Sequence, residues 1–525
     1  MLKFLKSNLF FFLLLTTIVF LLYGKSINFE FTYGDDTSLI LEKSDFLLDI
    51  KNLPTIFTTS CYYSKDFPYY RPLLNLSFML ETVVFGVNTK VYHLTNIILF
   101  ILALYLMYIF LLKIKLNSIV LKFLILLVAV HPIFTSTVVW IPARNDTLLA
   151  VFIYTSLIFF VDYLETKSTR YLIPYFLFFM LALFTKESSI FMAFVYILFI
   201  WCFDYKLSKK EFIKNIVGVV LIIAIYLYFR HIAVSGGNIF SYLINFTEYL
   251  QNMFIGSVMY LYQFVIPNIS MCVYKCSINF LQFIVVVASF IFIIFCLYKK
   301  FINKKIFLWC FAVYVFFVFP TCILEDYIVL NHRLVIVIPP ILIFFSLFIE
   351  KILNIRKMKY IFLILFTILF FIYTGISFAF ENNYKEKNIY WVQSYIDAPN
   401  CHATIYWLGH IFFEYGNFKK AKEFLVEANR LKPIYLSDLA LIYYYEGDMD
   451  KSEETYNKAI EYGINKAQCY RNLSTIYLKR DKDINKSIEY AKLAVQENPY
   501  DTEYKQYLQN LIAFYNKLAD EKNNI

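Results

Sequence analysis

The chain has 525 residues, 60% of them hydrophobic and only 17% charged, with a formal net charge of +10. Soluble proteins run nearer to about 45–50% apolar and about 25% charged, so ordinary cytosolic, disordered and fibrous classes are excluded. With 58 Phe and 45 Tyr against 12 Gly and 13 Pro it is not of low complexity, and its repeated apolar runs of membrane-spanning length predict a polytopic membrane protein.

In chain order, Lys3 and Lys6 precede an apolar run from Leu9 to Tyr23 with no small-residue cleavage site before Tyr23. This predicts a first transmembrane helix, not a signal peptide. Further runs fall at about 92–112, 118–134, 146–164, 171–185, 187–203, 212–230, 278–298, 306–323, 334–350 and 360–379, about eleven spans in all. The segment from Tyr249 to Ile266 carries Gln251, Asn252 and Gln263 and ends at Pro267, so it is expected to lie at the interface or re-enter.

Lys and Arg gather in every second loop, at Lys113 and Lys115, Lys167 and Arg170, Lys206 to Lys214, Lys299 to Lys305, and Lys351 to Lys359. That alternation marks cytoplasmic loops and argues against a nucleic-acid face. An odd span count then places the N-terminus in the cytoplasm and everything after about residue 380 on the opposite side. The abundance of Phe, Ile, Lys, Asn and Tyr suits an AT-rich genome and a bacterial inner membrane. Of the nine cysteines, Cys272 and Cys276 form the only close pair, and they lack neighbouring Cys or His at ligand spacing, so no metal site is inferred.

The expected organisation is a membrane domain over 1–380, a linker over 381–400 and a soluble helical domain over 401–525. In the last, Leu408, Gly409, Gly416, Ala421, Ala428 and Pro433 make one unit, and Ala440, Tyr443, Gly447, Tyr456 and Ala459 the next. Leu473, Tyr477, Ala494 and Pro499 continue the series. Small residues where antiparallel helices cross, with a closing proline and a period in the low thirties, resemble the tetratricopeptide repeat. About three repeats are expected, with a capping helix over about Thr502 to Lys517. Such a domain binds a peptide, a partner protein or its own membrane domain and does no chemistry.

The first outer loop, about 25–90, contains Tyr33-Gly34-Asp35-Asp36. Two adjacent carboxylates can act as general base on an acceptor hydroxyl and orient it; the plainer alternative is a solvated turn or helix cap. On the same face fall His131-Pro132, the run from Trp140 through Arg144 to Asp146, Lys186-Glu187 and His332-Arg333. Lys186-Glu187 interrupts an apolar stretch running from Tyr171 to Phe203. Charge at membrane depth costs about 2.5–3.5 kcal/mol per residue, which makes function the default reading over a self-neutralising turn. Arg144, Lys186 and Arg333 are expected to converge on a phosphate, opposite Asp35 or Asp36. A leaving group held by cations and a carboxylate that activates a hydroxyl are what glycosyl transfer from a lipid-phosphate sugar requires. His131 and His332 read more simply as hydrogen-bonded packing residues.

Four blocks then resemble a known family. They are Tyr33 to Asp36; Tyr70-Arg71-Pro72-Leu73 through Ser77-Phe78 to His93-Leu94-Thr95-Asn96; His131-Pro132 through Trp140, Arg144 and Asp146 to Leu148-Leu149-Ala150; and Lys186-Glu187. With C-terminal repeats, they resemble the transmembrane and tetratricopeptide repeat-containing proteins, a branch of the C-type glycosyltransferase fold related to protein O-mannosyltransferases. The resemblance implies an all-α polytopic bundle followed by a repeat solenoid. It also implies an inverting transferase that carries a sugar from a polyprenyl-phosphate donor to a protein or glycan acceptor outside the cytoplasm.

In that reading Asp35 or Asp36 is the base, Arg144, Lys186 and Arg333 hold the donor phosphate, and Arg71, His131, Asp146 and Glu187 support them. The donor is a substrate, and no resident cofactor follows. The chain departs from the family pattern at Phe134 and Ser136, where relatives often carry a second His and a Glu, and it keeps only Arg333 of an aromatic-rich motif near the later spans. Competing readings are an O-antigen ligase or oligosaccharide transferase, whose large outer loop is expected late in the membrane domain. A non-catalytic membrane-anchored scaffold and a transporter are the others.

Overall fold

In the computed structural model the described residues are 2–63, 69–234, 246–267, 269–271, 273–274, 278–323, 328–329, 331–353, 355–498 and 502–523. Cys272, Cys276 and Pro499 lie outside them. The remaining cysteines are free and buried. The chain divides into two compact units, Met1–Tyr390 and Trp391–Ile525. Residues 381–400, expected as a linker, are largely helical, with a short turn at Glu381–Tyr384 and a helix at Lys387–Asp397.

Among the described residues, the regular structure of the first unit is helical apart from a two-residue antiparallel pairing of Val273–Tyr274 with Ile328–Val329. Among the described residues, seven helices are long and apolar enough to cross a membrane: Asn8–Asn28, Thr89–Lys113, Ile141–Thr166, Lys209–Ala233, Phe280–Tyr298, Asn331–Ile352 and Lys357–Tyr384. An eighth is made if Ser118–Val130 and Pro132–Val139, bent by 57° at His131, are taken together. The expectation of about eleven exceeds this because it counted shorter helices as full spans. Thr169–Thr185 and Glu187–Cys202 are apolar but broken apart at Lys186. At about 1.5 Å per residue neither reaches the roughly 30 Å of a hydrocarbon core. Phe246–Val265 is one continuous 20-residue helix outside the seven, with Gln263 buried and Asn252 donating to the Cys322 carbonyl at 3.2 Å.

Loop chemistry sets the helix starts. Asn88, Asn117 and Asn303 accept backbone N–H bonds at the heads of their helices, and Ser208 with Glu211 and Asn279 with Gln282 form capping boxes. These side chains satisfy N–H groups that have no partner within the helix.

The stretch expected as a first outer loop is folded. It holds an apolar helix at Pro72–Phe85 and several short turns. They enclose a hydrophobic cluster of their own, in which Leu39, Ile40, Leu47, Ile56, Phe78 and Met79 pack with Tyr92 and Ile141. Burying that face is what turns a long connection into a rigid platform.

The second unit stacks antiparallel helix pairs: His402–Glu414 with Phe418–Leu431, Leu436–Tyr445 with Met449–Glu461, and Lys466–Lys479 with Ile484–Glu497. A helix at Thr502–Asn523 follows. The helices of the first pair approach closely: a Cβ on Gly409 would sit 2.5 Å from Leu425 Cδ1 and 3.0 Å from Phe424 Cβ. Ala421 lies at this same crossing, Ala440, Ala459 and Ala494 lie in the other pairs, and all four are buried.

Every pair turns the same way. Gly416, Gly447 and Lys482 each take a positive φ, and the next residue, Asn417, Asp448 or Asp483, caps the second helix by accepting from the backbone N–H of Lys420, Lys451 or Lys486. Lysine holds a left-handed conformation here that costs an L-residue about 1–2 kcal/mol, where the other two repeats use glycine.

Candidate functional site

Tyr33 and Gly34 both have positive φ, 64° and 71°, and this double left-handed turn throws Asp35 and Asp36 to different neighbours. A five-residue π-helical turn, Thr37–Leu41, follows directly, a local form common at functional positions.

Asp36 points inward. Its Oδ2 accepts from the Thr32 backbone N–H at 2.7 Å and from the Thr32 hydroxyl at 2.8 Å, while Oδ1 has no hydrogen bond of good geometry among the described residues. Burial raises its pKa to about 7 against the lowering effect of Thr32. Asp35 is half-buried and accepts from the Tyr62 hydroxyl at 3.3 Å. Burial raises its pKa too, opposed by Tyr62 and by the positive charges of Arg71 and Arg333. The two carboxylates therefore have separate tasks open to them, one holding the turn and one meeting solvent.

Arg71, at the head of the helix Pro72–Phe85, donates through Nε to Glu187 Oε2 at 3.1 Å, and the Tyr70 backbone N–H donates to Oε1 at 2.8 Å. Its guanidinium also lies 4.7 Å from the Tyr69 ring. Lys186 has extended backbone between two helices, which carries its ammonium to Asp146 Oδ1 at 2.7 Å. Asp146 Oδ2 faces His332 Nε2 at 3.8 Å, beyond hydrogen-bond reach. Arg333, next in sequence, is charge-coupled to Asp35, Lys186 and His332. A polar chain ties these groups together: Trp140 Nε1 donates to the Thr32 hydroxyl at 3.1 Å, and the Trp140 ring lies 5.2 Å from the His332 ring.

The cluster thus brings together Asp35, Asp36, Arg71, Asp146, Lys186, Glu187 and Arg333. Two residues that the sequence grouped with them go elsewhere. Arg144 is 0% exposed, and its guanidinium is taken up by Asn96 Oδ1 at 2.9 Å, Glu81 Oε2 at 2.8 Å, the Tyr92 carbonyl at 2.9 Å and the Ser77 hydroxyl at 3.3 Å, over the Phe78 ring. With its donors so engaged and no exposed surface, it braces the platform. By contrast Arg71 and Lys186 each keep 13% of their side-chain surface accessible. His131 accepts from the Ile133 N–H at Nδ1, so Nε2–H donates to the Phe264 carbonyl at 3.0 Å. It stacks on Phe264 and occupies the break between Ser118–Val130 and Pro132–Val139.

Sequence reasoning passed over Tyr62, Thr32 and Glu81. Glu81 had a signal, being the single charge in an apolar helix, a position that demands a partner. Tyr62 and Thr32 had none. Among the described residues no group of three His, Cys, Asp or Glu side chains has a geometry suited to a metal ion.

The tetratricopeptide repeat family matches residues 402–435 and 435–462. These coincide with the first two helix pairs, so the second unit contains tetratricopeptide repeats. A comparison of the chain with curated proteins finds no match.

Proposed function

We propose that the first unit is a membrane glycosyltransferase that moves a sugar from a polyprenyl-phosphate donor to a protein or glycan acceptor outside the cytoplasm. The observation that carries this reading is the placement of half-buried Asp35 beside the Arg71 and Arg333 charges, in the cluster that also holds the partly exposed Lys186 ammonium. In the proposed reaction Asp35 takes the acceptor O–H proton while the acceptor oxygen bonds to the anomeric carbon from the face opposite the phosphate. The anomeric C–O bond breaks, and its electron pair leaves on the polyprenyl phosphate. Arg71, Lys186 and Arg333 stabilise the charge that gathers there. Asp36, held by Thr32, keeps the turn in place. The tetratricopeptide repeats support a role in protein interaction for the second unit.

A second reading has its own support. Arg71 and Lys186 are already paired with Glu187 and Asp146, as expected of a structural network in a membrane-anchored scaffold.

Transfer of labelled sugar in membranes containing the wild type, Asp35→Asn or Asp36→Asn at matched expression separates the two. Asp35→Asn is expected to slow transfer at least about a hundredfold, a barrier rise of about 2.7 kcal/mol. Asp36→Asn keeps its acceptor oxygen for Thr32 and is expected to lose less. Equal activity of Asp35→Asn and wild type removes the base assignment, and no transfer by wild type from any donor favours the scaffold.

A further inference from the structure

The chain that leaves the last apolar helix at Phe380 comes back to the turn that carries the two aspartates. Among the described residues, three ties join it to residues 25–33, and they ascend along both segments. Lys25 Nζ meets the buried Glu381 carboxylate at 2.9 Å, and it also donates to the Phe378 carbonyl at 2.7 Å. The Glu30 backbone N–H donates to the Lys385 carbonyl at 2.9 Å. Lys387 Nζ lies 4.3 Å from the centre of the Tyr33 ring, within the range where a cation is attracted to an aromatic face. The two segments therefore run side by side in the same direction, and their pairing ends just before Asp35.

That end of the pairing is where support is needed. Tyr33 has a φ of 64°, a left-handed conformation that a residue with a Cβ keeps only when its surroundings outweigh the cost. Gly34 follows at 71° and bears no such cost, so the shape of the turn depends on what fixes Tyr33. From within the loop, Asp36 bonds back to Thr32. From outside it, the Lys385 carbonyl fixes the backbone at Glu30 and Lys387 sits on the Tyr33 ring. We infer that residues 381–387 form a strap that holds the aspartate turn in its reactive shape, with Lys387 as a positioning residue that acts on Asp35 through Tyr33. The inference rests on the transferase reading and deepens it, since it names what places the base. A reacting group displaced by about 1 Å can lose on the order of a hundredfold in rate, and loosening one tie of three is expected to lose less.

The test measures transfer from a labelled pool of polyprenyl-phosphate sugars in membranes containing the full-length chain at matched expression. Binding of bare polyprenyl phosphate to the same chain purified in detergent reports how much of each variant is folded. Lys387→Met is expected to lower transfer about tenfold while binding of the bare lipid stays within about twofold of wild type. Lys387→Arg keeps a cation for the ring and is expected to recover most of the loss. Tyr33→Leu is expected to lose about as much as Lys387→Met, and the double variant no more than about twofold beyond either, as for two residues acting through one contact. A purely structural tie would lower lipid binding and transfer together.

If the wild type transfers sugar and Lys387→Met transfers as well as it does, the inference falls while the transferase reading stands. It falls in the same way if Lys387→Arg recovers nothing, if the two single losses multiply in the double variant, or if lost transfer only tracks lost lipid binding. If the wild type transfers no sugar from the pool, the transferase reading falls and this inference falls with it.

Discussion

Two sets of ion pairs, one in the interior of the first unit and one on the repeat helices of the second, lie at opposite ends of exposure. In the first, Arg144 meets Glu81 with no exposed surface of its own, and Lys186 meets an almost fully buried Asp146. In the second, Lys458 pairs with Glu454 and Arg430 with Glu427 across one turn of helix, with all four side chains largely exposed. The attraction is the same in kind, but water competes for the second set and not for the first. A buried pair adds little over an apolar replacement and becomes costly when only half is removed. The charge of Arg144 and Lys186 therefore specifies arrangement, and that of Lys458 and Arg430 keeps a helix surface solvated.

The sharpest way to break that contrast is Arg144→Leu, which strands Glu81 and leaves Asn96 Oδ1 and the Tyr92 carbonyl without their donor. Destabilisation of about 3–5 kcal/mol is expected, read as a fall in thermal midpoint in detergent. Adding Glu81→Gln should recover part of the loss, and a double variant no better than the single would show that the pair is not the source.

A second effect, of similar size, is expected from pH. Because the Asp36 pKa is raised to about 7 from an ordinary 3.8, the folded state binds this proton more tightly than the unfolded chain does. The sign follows: its contribution is fully present below about pH 4 and is lost as pH rises through about 7. Asp36→Asn should flatten that part of the stability profile, and an unchanged slope would place its origin in another group. At the bottom of the scale, Lys458→Ala should change stability by no more than about 0.5 kcal/mol in chemical unfolding. A larger loss would overturn the view of the second unit's surface.

Much of this was legible in the sequence because the signals were periodic or locally costly. Gly409, Ala421, Ala440 and Ala459 marked helix crossings through residue size alone, whereas the turns at Gly416 and Gly447 show only in the backbone. Lys186 stood out because charge within an apolar run needs a reason. What sequence did not show was partnership at long range. Arg144 looked as free for a phosphate as Lys186, and only the fold brings Glu81 and Asn96 to it. The Asp pair read as a unit, whereas the consecutive positive φ values of Tyr33 and Gly34 send the two carboxylates to different partners. The span count exceeds the seven or eight helices of full length because apolar runs as short as 171–185 and 187–203, already seen as separate at Lys186, were each counted as a span.

The shared turn and cap of the repeat pairs have a consequence for how that unit is made. Each pair closes through a connection of a few residues whose left-handed position and capping side chain both lie within the turn itself. Most contacts formed in a pair are therefore near neighbours along the chain, and little loop-closure entropy opposes them. Such a unit can nucleate at any pair and grow by stacking the next. During synthesis its order accumulates one hairpin at a time, without waiting for the C-terminus to emerge.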